Sequence, residues 1–106
     1  MVTRVELSER VVRFVARQAP EPRRVLRTAL RGLARERGDI RALEGPLQEY
    51  HRLRVGGYRV ILRYRISPKR RGIQCIFAER RSAVYELFEL LLKQHLLRSE
   101  ETDAGN

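Results

Sequence analysis

The sequence lacks most of the features that mark secreted, membrane-spanning and metal-binding proteins. It has one cysteine, no tryptophan and two histidines in 106 residues. A single cysteine excludes an internal disulfide and a cysteine-based zinc cluster, and two histidines are too few to form a metal site by themselves. No run of 18 apolar residues is present, and Glu6 and Glu9 lie where the apolar core of a signal peptide would be. We therefore expect a cytoplasmic protein that binds no membrane, metal or other cofactor.

Acidic residues are scarce in the middle of the chain. The sequence has 23 lysines and arginines against 13 aspartates and glutamates, which gives a formal net charge of +10. The stretch from Tyr50 to Ala78 contains no acidic residue at all, although it is rich in arginine. Such a segment is typical of a surface that binds a polyanion. The acidic end of the chain, residues 98–106, is expected to be a mobile tail, which leaves residues 1–97 as a single domain.

Hydrophobic periodicity predicts an α+β fold with the element order β-α-α-β-β-β-α. Alternating apolar residues predict a strand over residues 2–7, and Ser8 is a typical N-cap for the helix that follows. A second helix is predicted from Pro22 to Gly38, since proline favours the first turn of a helix and glycine its end. The two helices form a helical hairpin. Residues 39–47 are predicted to be irregular.

A two-residue glycine turn makes the next segment the most informative in the sequence. Gly56-Gly57 joins two predicted strands, 50–55 and 58–66, and a link of this length fixes the register of the hairpin. One face of the hairpin is then apolar and carries Leu53, Val55, Tyr58, Val60, Leu62, Tyr64 and Ile66. The opposite face, which we call the arginine face, carries Tyr50, Arg52, Arg54, Arg59, Ile61, Arg63 and Arg65.

The arginine face has a local charge conflict, because Arg54 lies directly opposite Arg59 in this register. Like charges in this position cost up to about 1 kcal/mol. A polyanion bound to the face would remove the conflict, since a phosphate would then match each cation. The alternative is a solvated outer face on which arginine serves solubility. Such a face would ordinarily include glutamate.

A further strand is predicted over residues 73–79, followed by a last helix capped by Ser82. The more apolar residues of this strand are expected to face the helical hairpin: Ile73, Cys75 and Phe77. Its other residues are expected to join the arginine face: Gln74, Ile76, Ala78 and Arg80. Cys75 is interpreted as a small buried residue, and His51, which lies opposite Leu62, as a packed histidine.

Two runs in the sequence, LEGPLQEYHRLRVGGYRVIL and AERRSAVYELF, resemble the RelE/ParE superfamily of toxins from toxin–antitoxin systems. The resemblance implies a small twisted antiparallel sheet with a helical hairpin packed on one face. RelE-like members enter the ribosomal A site and cleave mRNA, whereas ParE-like members inhibit DNA gyrase. Members of both groups are neutralised by a cognate antitoxin wrapped around them.

The resemblance also implies which residues act in a RelE-like toxin. The implied catalytic residues are Arg59, Arg80, Arg81 and Tyr85. The implied RNA-binding residues are Arg52, Arg54, Arg63 and Arg65. An arginine near the scissile phosphate would stabilise the negative charge that builds up when a ribose 2′-hydroxyl attacks it. The tyrosine would stack on a base or handle a proton.

The sequence departs from the family pattern at two places, and three functions therefore stay open. Some family members have lysines where this chain has Arg52 and Arg54, and arginine cannot act as a general base. Glu79 stands six residues before Tyr85, where those members have an arginine. The first function is a metal-independent, ribosome-dependent mRNA endoribonuclease. The others are a gyrase inhibitor that acts by protein binding, and a catalytically impaired basic RNA-binding module.

The last helix predicts a protein partner, because its apolar residues exceed what one buried face requires. These residues are Leu87, Phe88, Leu90, Leu91, Leu92, Leu96 and Leu97. We expect this helix to contact the cognate antitoxin or, in a homodimer, a second copy of the chain. The other expected partners are the ribosome and mRNA, or DNA gyrase under the alternative function.

Overall fold

One five-stranded sheet with helices on both faces makes up the computed structural model, which describes residues 3–66 and 71–94. Residues 1–2, 67–70 and 95–106 lie outside the described residues, and with them the predicted tail and the last predicted apolar positions, Leu96 and Leu97. The elements in chain order are β1 (Arg4–Leu7), α1 (Glu9–Ala16), α2 (Pro20–Gly32), β2 (Asp39–Ala42), β3 (His51–Val55), β4 (Tyr58–Ile66), β5 (Arg71–Arg80) and α3 (Val84–Lys93).

The sheet has the strand order β1-β5-β4-β3-β2, which confirms the α+β class. Four strands run antiparallel to their neighbours, whereas β1 pairs in parallel with β5. The sheet is therefore mixed, and the prediction of a wholly antiparallel sheet is wrong. The prediction that residues 39–47 are irregular is wrong for their first half, because Asp39–Ala42 form the edge strand β2.

The predicted register of the glycine hairpin is confirmed at every pair. Val55 lies opposite Tyr58, and Arg54 lies opposite Arg59. Gly56 has a φ of 57°, in the left-handed region that glycine adopts without strain. The predicted faces follow from this register, so the apolar side chains of β3 and β4 lie beneath α1 and α2.

The first core lies between the sheet and the helical hairpin. Ser8 caps α1 as predicted, since its Oγ accepts the Val11 N–H at 3.2 Å; the same hydroxyl donates to the Ile76 carbonyl at 2.7 Å. The buried residues of this core are Val11, Phe14, Val15, Leu26, Leu30, Leu33, Leu53, Val55, Val60, Leu62, Ile73, Cys75 and Ala78. His51 is also on this face, packed edge-on against Tyr64 at 4.9 Å between ring centroids.

Three predicted helix boundaries are wrong. Helix α2 begins at Pro20 and ends at Gly32, because both Pro20 and Pro22 fit a first turn and a 3-10 turn follows directly. Gly38, the predicted end, has a φ of 126° and approaches Leu53 so closely that a Cβ atom would lie 2.6 Å from Leu53 Cδ1. Helix α3 begins at Val84 without a side-chain cap from Ser82.

A β-bulge in β5 produces a second core on the arginine face. Leu62 pairs with Cys75 but Ile61 pairs with Phe77, so Ile76 is an extra residue in β5. Beyond the bulge the alternation of β5 is reversed. The predictions that Phe77 faces the helical hairpin and that Ala78 and Arg80 face away from it are therefore wrong. The buried residues of the second core are Tyr50, Ile61, Ile76, Phe77, Val84 and Phe88.

Helix α3 thus covers the middle of the arginine face, and Phe88 anchors it. Phe88 is fully buried, packed edge-on against Tyr50 and stacked on Phe77. Leu87 and Leu90 of the same helix stay exposed, at 37% and 47%.

Truncating Phe88 tests this placement. Phe88→Ala should lower the free energy of unfolding by about 3–5 kcal/mol, because it empties the centre of the second core. The matched control, Leu90→Ala in the same helix, should change it by less than about 0.5 kcal/mol, because that side chain is exposed. Urea unfolding followed by circular dichroism measures both, and equal effects would contradict the position of α3.

Candidate nucleic-acid interface

The arginine face gains residues from every strand once the register is known. Strand β2 adds Asp39 and Arg41, which lie opposite Arg54 and Arg52. Strand β1 adds Arg4 and Glu6 beside Gly72 and Gln74. The face then carries seven arginines and three carboxylates: Arg4, Arg41, Arg52, Arg54, Arg59, Arg63 and Arg65 with Glu6, Asp39 and Glu79.

A row of four charges crosses the sheet next to the glycine turn. Asp39 pairs with Arg54, Arg54 with Arg59, and Arg59 with Glu79, so an acid flanks the two arginines on each side. The charge conflict between Arg54 and Arg59 is therefore partly relieved within the fold. This relief comes from two features that the sequence did not reveal, the strand β2 and the bulge in β5.

One expected RNA-binding residue, Arg52, and one expected catalytic residue, Arg59, hold the sheet together. Arg52 Nη1 donates to the Asp39 carbonyl at 2.9 Å and lies 3.3 Å from Asp39 Oδ1. Arg59 Nη1 donates to the Gly56 and Tyr58 carbonyls at 2.8 and 2.9 Å, and Arg59 is only 9% exposed. Arg52 thus secures the edge strand β2, while Arg59 secures the turn.

The remaining arginines of the face are more accessible. Arg54 is exposed between Asp39 and Arg59. Arg63 and Arg65 are half-buried at the far end of β4, opposite Gln74 and Gly72. Helix α3 separates these two ends of the face, since the second core lies between them.

The strand-end arginines do not share one position. Arg80 lies opposite Tyr58 on the side of the helical hairpin, and its guanidinium carbon is 5.7 Å from the centroid of the Tyr58 ring. The expectation that Arg80 joins the arginine face is therefore wrong. Arg81 is exposed, and its N–H donates to the Gly57 carbonyl at 2.9 Å. Tyr85, in the first turn of α3, is 36% exposed.

One end of the sheet therefore brings together the glycine turn, the end of β5 and the start of α3. The accessible charged side chains there are Arg54, Glu79 and Arg81, with Arg59 beneath them. Cys75 is not part of this site; burial raises the pKa of its thiol to about 12, which keeps it protonated at neutral pH.

A cleft at the edge of β5 is a third feature that the sequence did not reveal. It has a volume of about 600 Å³ and lies between α1 and α3. Its lining includes Arg10, Arg13 and Arg17 of α1 and Leu87 and Leu90 of α3. It exists because β1 pairs with β5 only as far as Cys75, so within the part of the chain that the structure describes the rest of β5 has no neighbouring strand on that side.

The edge of β5 presents peptide groups to this cleft. The Arg81 N–H donates to the Gly57 carbonyl. Because hydrogen-bonded and non-hydrogen-bonded residue pairs alternate along an antiparallel ladder, Arg81–Gly57 and Glu79–Arg59 are hydrogen-bonded pairs. The N–H and C=O of Ala78 consequently point away from β4. Ala78 also lines the cleft.

A chain of the toxin–antitoxin complex RelBE2 from Mycobacterium tuberculosis has the same fold. The TM-score is 0.56 at 17% sequence identity, and the match covers 76% of this chain and 100% of that chain. No protein-family model matches the sequence, and no curated protein is similar to it. The protein therefore shares the fold of that chain, which agrees with the fold that the resemblance of its hairpin implied.

The helices give no sign of a membrane span. Within the described ranges, none is both long enough and apolar enough to cross a bilayer.

The two classes of arginine can be separated by their effect on stability. Arg59→Ala should lower the free energy of unfolding by about 1–3 kcal/mol, because two carbonyls at the turn lose a buried, charged donor. Arg54→Ala on the facing strand should change it by less than about 0.5 kcal/mol. Urea unfolding at fixed salt concentration provides the comparison. A larger loss for Arg54→Ala would contradict the role of Arg59 in holding the turn.

Proposed function

We propose that this protein is the toxin of a toxin–antitoxin pair and that it cleaves mRNA on the ribosome. The observation that supports the proposal most directly is the excess of arginine over carboxylate on one sheet face of a RelE-like toxin fold. RNA offers a phosphate at every nucleotide, and arginine binds phosphate through paired hydrogen bonds. Such a toxin would act in the cytoplasm, where ribosomes translate.

The residues would divide the work by their exposure. Arg54 and Arg81 are exposed and would contact the scissile phosphate. Arg59, which is nearly buried, would add positive potential beneath it. Arg63 and Arg65 would bind a flanking part of the RNA at the far end of β4, while Tyr85 would stack on a base or donate a proton.

Cleavage should depend on ribosomes and on Arg54. Purified protein should cut mRNA in a translation extract and leave the same mRNA intact without ribosomes. Arg54→Ala should slow cleavage by about ten- to a hundredfold, since one charge-assisted hydrogen bond contributes about 1.5–3 kcal/mol. Primer extension locates and quantifies the cuts.

The control for Arg54→Ala is Arg31→Ala, which removes an exposed arginine from α2 on the other side of the sheet. It should cleave like the parent. Intact mRNA together with growth arrest and DNA damage would contradict the nuclease and favour the gyrase inhibitor. Intact mRNA without toxicity would favour the impaired RNA-binding module.

We further propose that the cognate antitoxin occupies the cleft between α1 and α3. The exposed leucines of α3 require apolar side chains from a partner, and the arginines of α1 require acidic ones. The free peptide groups of Ala78 suit an extended segment that adds a strand beside β5. The expected occupant is therefore an acidic, partly apolar segment in an extended conformation.

A charge placed in the cleft should weaken antitoxin binding. The expected antitoxin is the protein encoded by the adjacent reading frame. Leu90→Asp should raise the dissociation constant of its complex with this protein by at least about tenfold, because the new carboxylate lies in the apolar wall of the cleft, opposite an acidic segment. Val25→Asp is the matched control, because Val25 is also an exposed helical aliphatic residue (41%) but lies outside the cleft. Titration calorimetry measures both. Equal affinities would place the antitoxin elsewhere, and a dimer that Leu90→Asp dissociates would assign α3 to a second copy.

A further inference from the structure

Cleavage of RNA by its own 2′-hydroxyl requires a group that accepts the hydroxyl proton, and the arginine face has few such groups. Arginine stays protonated and cannot accept it. A tyrosine hydroxyl already carries its proton at neutral pH and is suited to donate. His51 lies on the opposite face of the sheet, against Tyr64. Among residues 3–66 and 71–94, the proton acceptors that remain on the strands of this face are its three carboxylates.

Two of these carboxylates are occupied or distant. Asp39 Oδ1 lies 3.3 Å from Arg52 Nη1 and 3.9 Å from Arg41 Nε. Glu6 lies beside Gln74, toward the other end of the face, with its Oε1 3.8 Å from Arg4 Nε. In both cases an arginine of the same face already pairs with the carboxylate.

Glu79 differs from both. Across residues 3–66 and 71–94, no lysine or arginine forms an ion pair with it. Its Oε2 accepts the Arg80 N–H at 2.8 Å, which holds the carboxylate in place and leaves Oε1 available. Glu79 is half-buried at the border between the arginine face and the cleft, so its surroundings are only partly solvated.

Glu79 also has the right neighbours. It pairs with Arg59, which pairs with Arg54. A phosphate bound above Arg54 and Arg59 would lie next to the strand that carries Glu79, because adjacent strands are about 4.8 Å apart. The charged residues that line the cleft with it are Glu9, Arg10, Arg13 and Arg17, and Glu9 is paired with Arg13.

We infer that Glu79 is the general base of the cleavage reaction, an inference that rests on the proposed nuclease function. Glu79 removes the proton of a ribose 2′-hydroxyl, and the freed oxygen forms a bond to the adjacent phosphorus. The bond from phosphorus to the 5′-oxygen breaks, and that oxygen takes a proton from water. The products are a 2′,3′-cyclic phosphate and a 5′-hydroxyl, and Glu79 returns its proton to solvent.

The test is the rate of mRNA cleavage by Glu79→Gln on programmed ribosomes under single-turnover conditions. Glutamine keeps the shape and the acceptor for the Arg80 N–H but does not accept the proton. The rate should fall by about 10²- to 10⁴-fold, while ribosome binding stays unchanged. The parent rate should rise with pH over the range in which carboxylates ionise, and the variant should lose this rise, because arginines do not titrate there.

The matched control is Glu21→Gln, which removes one negative charge from the exposed surface of α2, on the other side of the sheet, and should cleave like the parent. Glu79→Asp keeps a carboxylate at a shorter reach and should retain part of the rate, which keeps the test decisive if Glu79→Gln does not fold. Cleavage by Glu79→Gln at or above the parent rate would overturn the inference, because Glu79 would then only repel RNA. A loss of rate matched by loss of ribosome binding would also overturn it. A parent that leaves mRNA intact would overturn the proposed function itself and the inference with it.

Discussion

The tight turn at Gly56-Gly57 is the constraint on which the arrangement of both sheet faces depends. A two-residue link allows β3 and β4 one register, and that register sends apolar side chains beneath the helical hairpin and arginines to the other side. Two further contacts hold the turn: Arg59 donates to the Gly56 carbonyl from the arginine face, and the Arg81 N–H donates to the Gly57 carbonyl from β5. A slip of one residue would bury the arginines and expose the core, so the turn determines which side chains form the arginine face.

The extra residue in β5 changes what that face can do. Because Ile76 is an extra residue, Ile76 and Phe77 both lie beside Ile61 on the neighbouring strand, and the three side chains form the apolar surface on which α3 packs. The same insertion reverses the alternation of the strand beyond it, which brings Glu79 to the arginine face and turns Arg80 toward Tyr58. One inserted residue thus supplies both the second core and a carboxylate beside two arginines.

The hairpin could be predicted from the sequence because its register depends on two adjacent glycines and on alternation over a dozen residues. Strand β2 could not, since only one of its four residues, Ile40, is apolar enough to suggest a core position, and its pairing with β3 supplies the rest. The bulge could not either, because β5 is a nearly continuous apolar run in which the period cannot be read. The shared face of the β3 and β4 arginines was therefore predicted correctly and that of Arg80 wrongly, while the carboxylates among them were found only through long-range pairing.

The distribution of charge on the arginine face reconciles a stable fold with a surface suited to phosphate. Without neighbouring acids or hydrogen-bond acceptors, the seven arginines would repel one another and destabilise the protein when no ligand is bound. Asp39 neutralises Arg52 at the edge, and Arg59 is satisfied by the carbonyls of the turn, so two cations are already matched within the chain. In the row of four charges that contains Arg54, the acids Asp39 and Glu79 stand at the two ends, and the guanidinium group of Arg54 stays in solvent. Under the proposed function, a phosphate therefore binds Arg54 without breaking a contact on which the sheet depends.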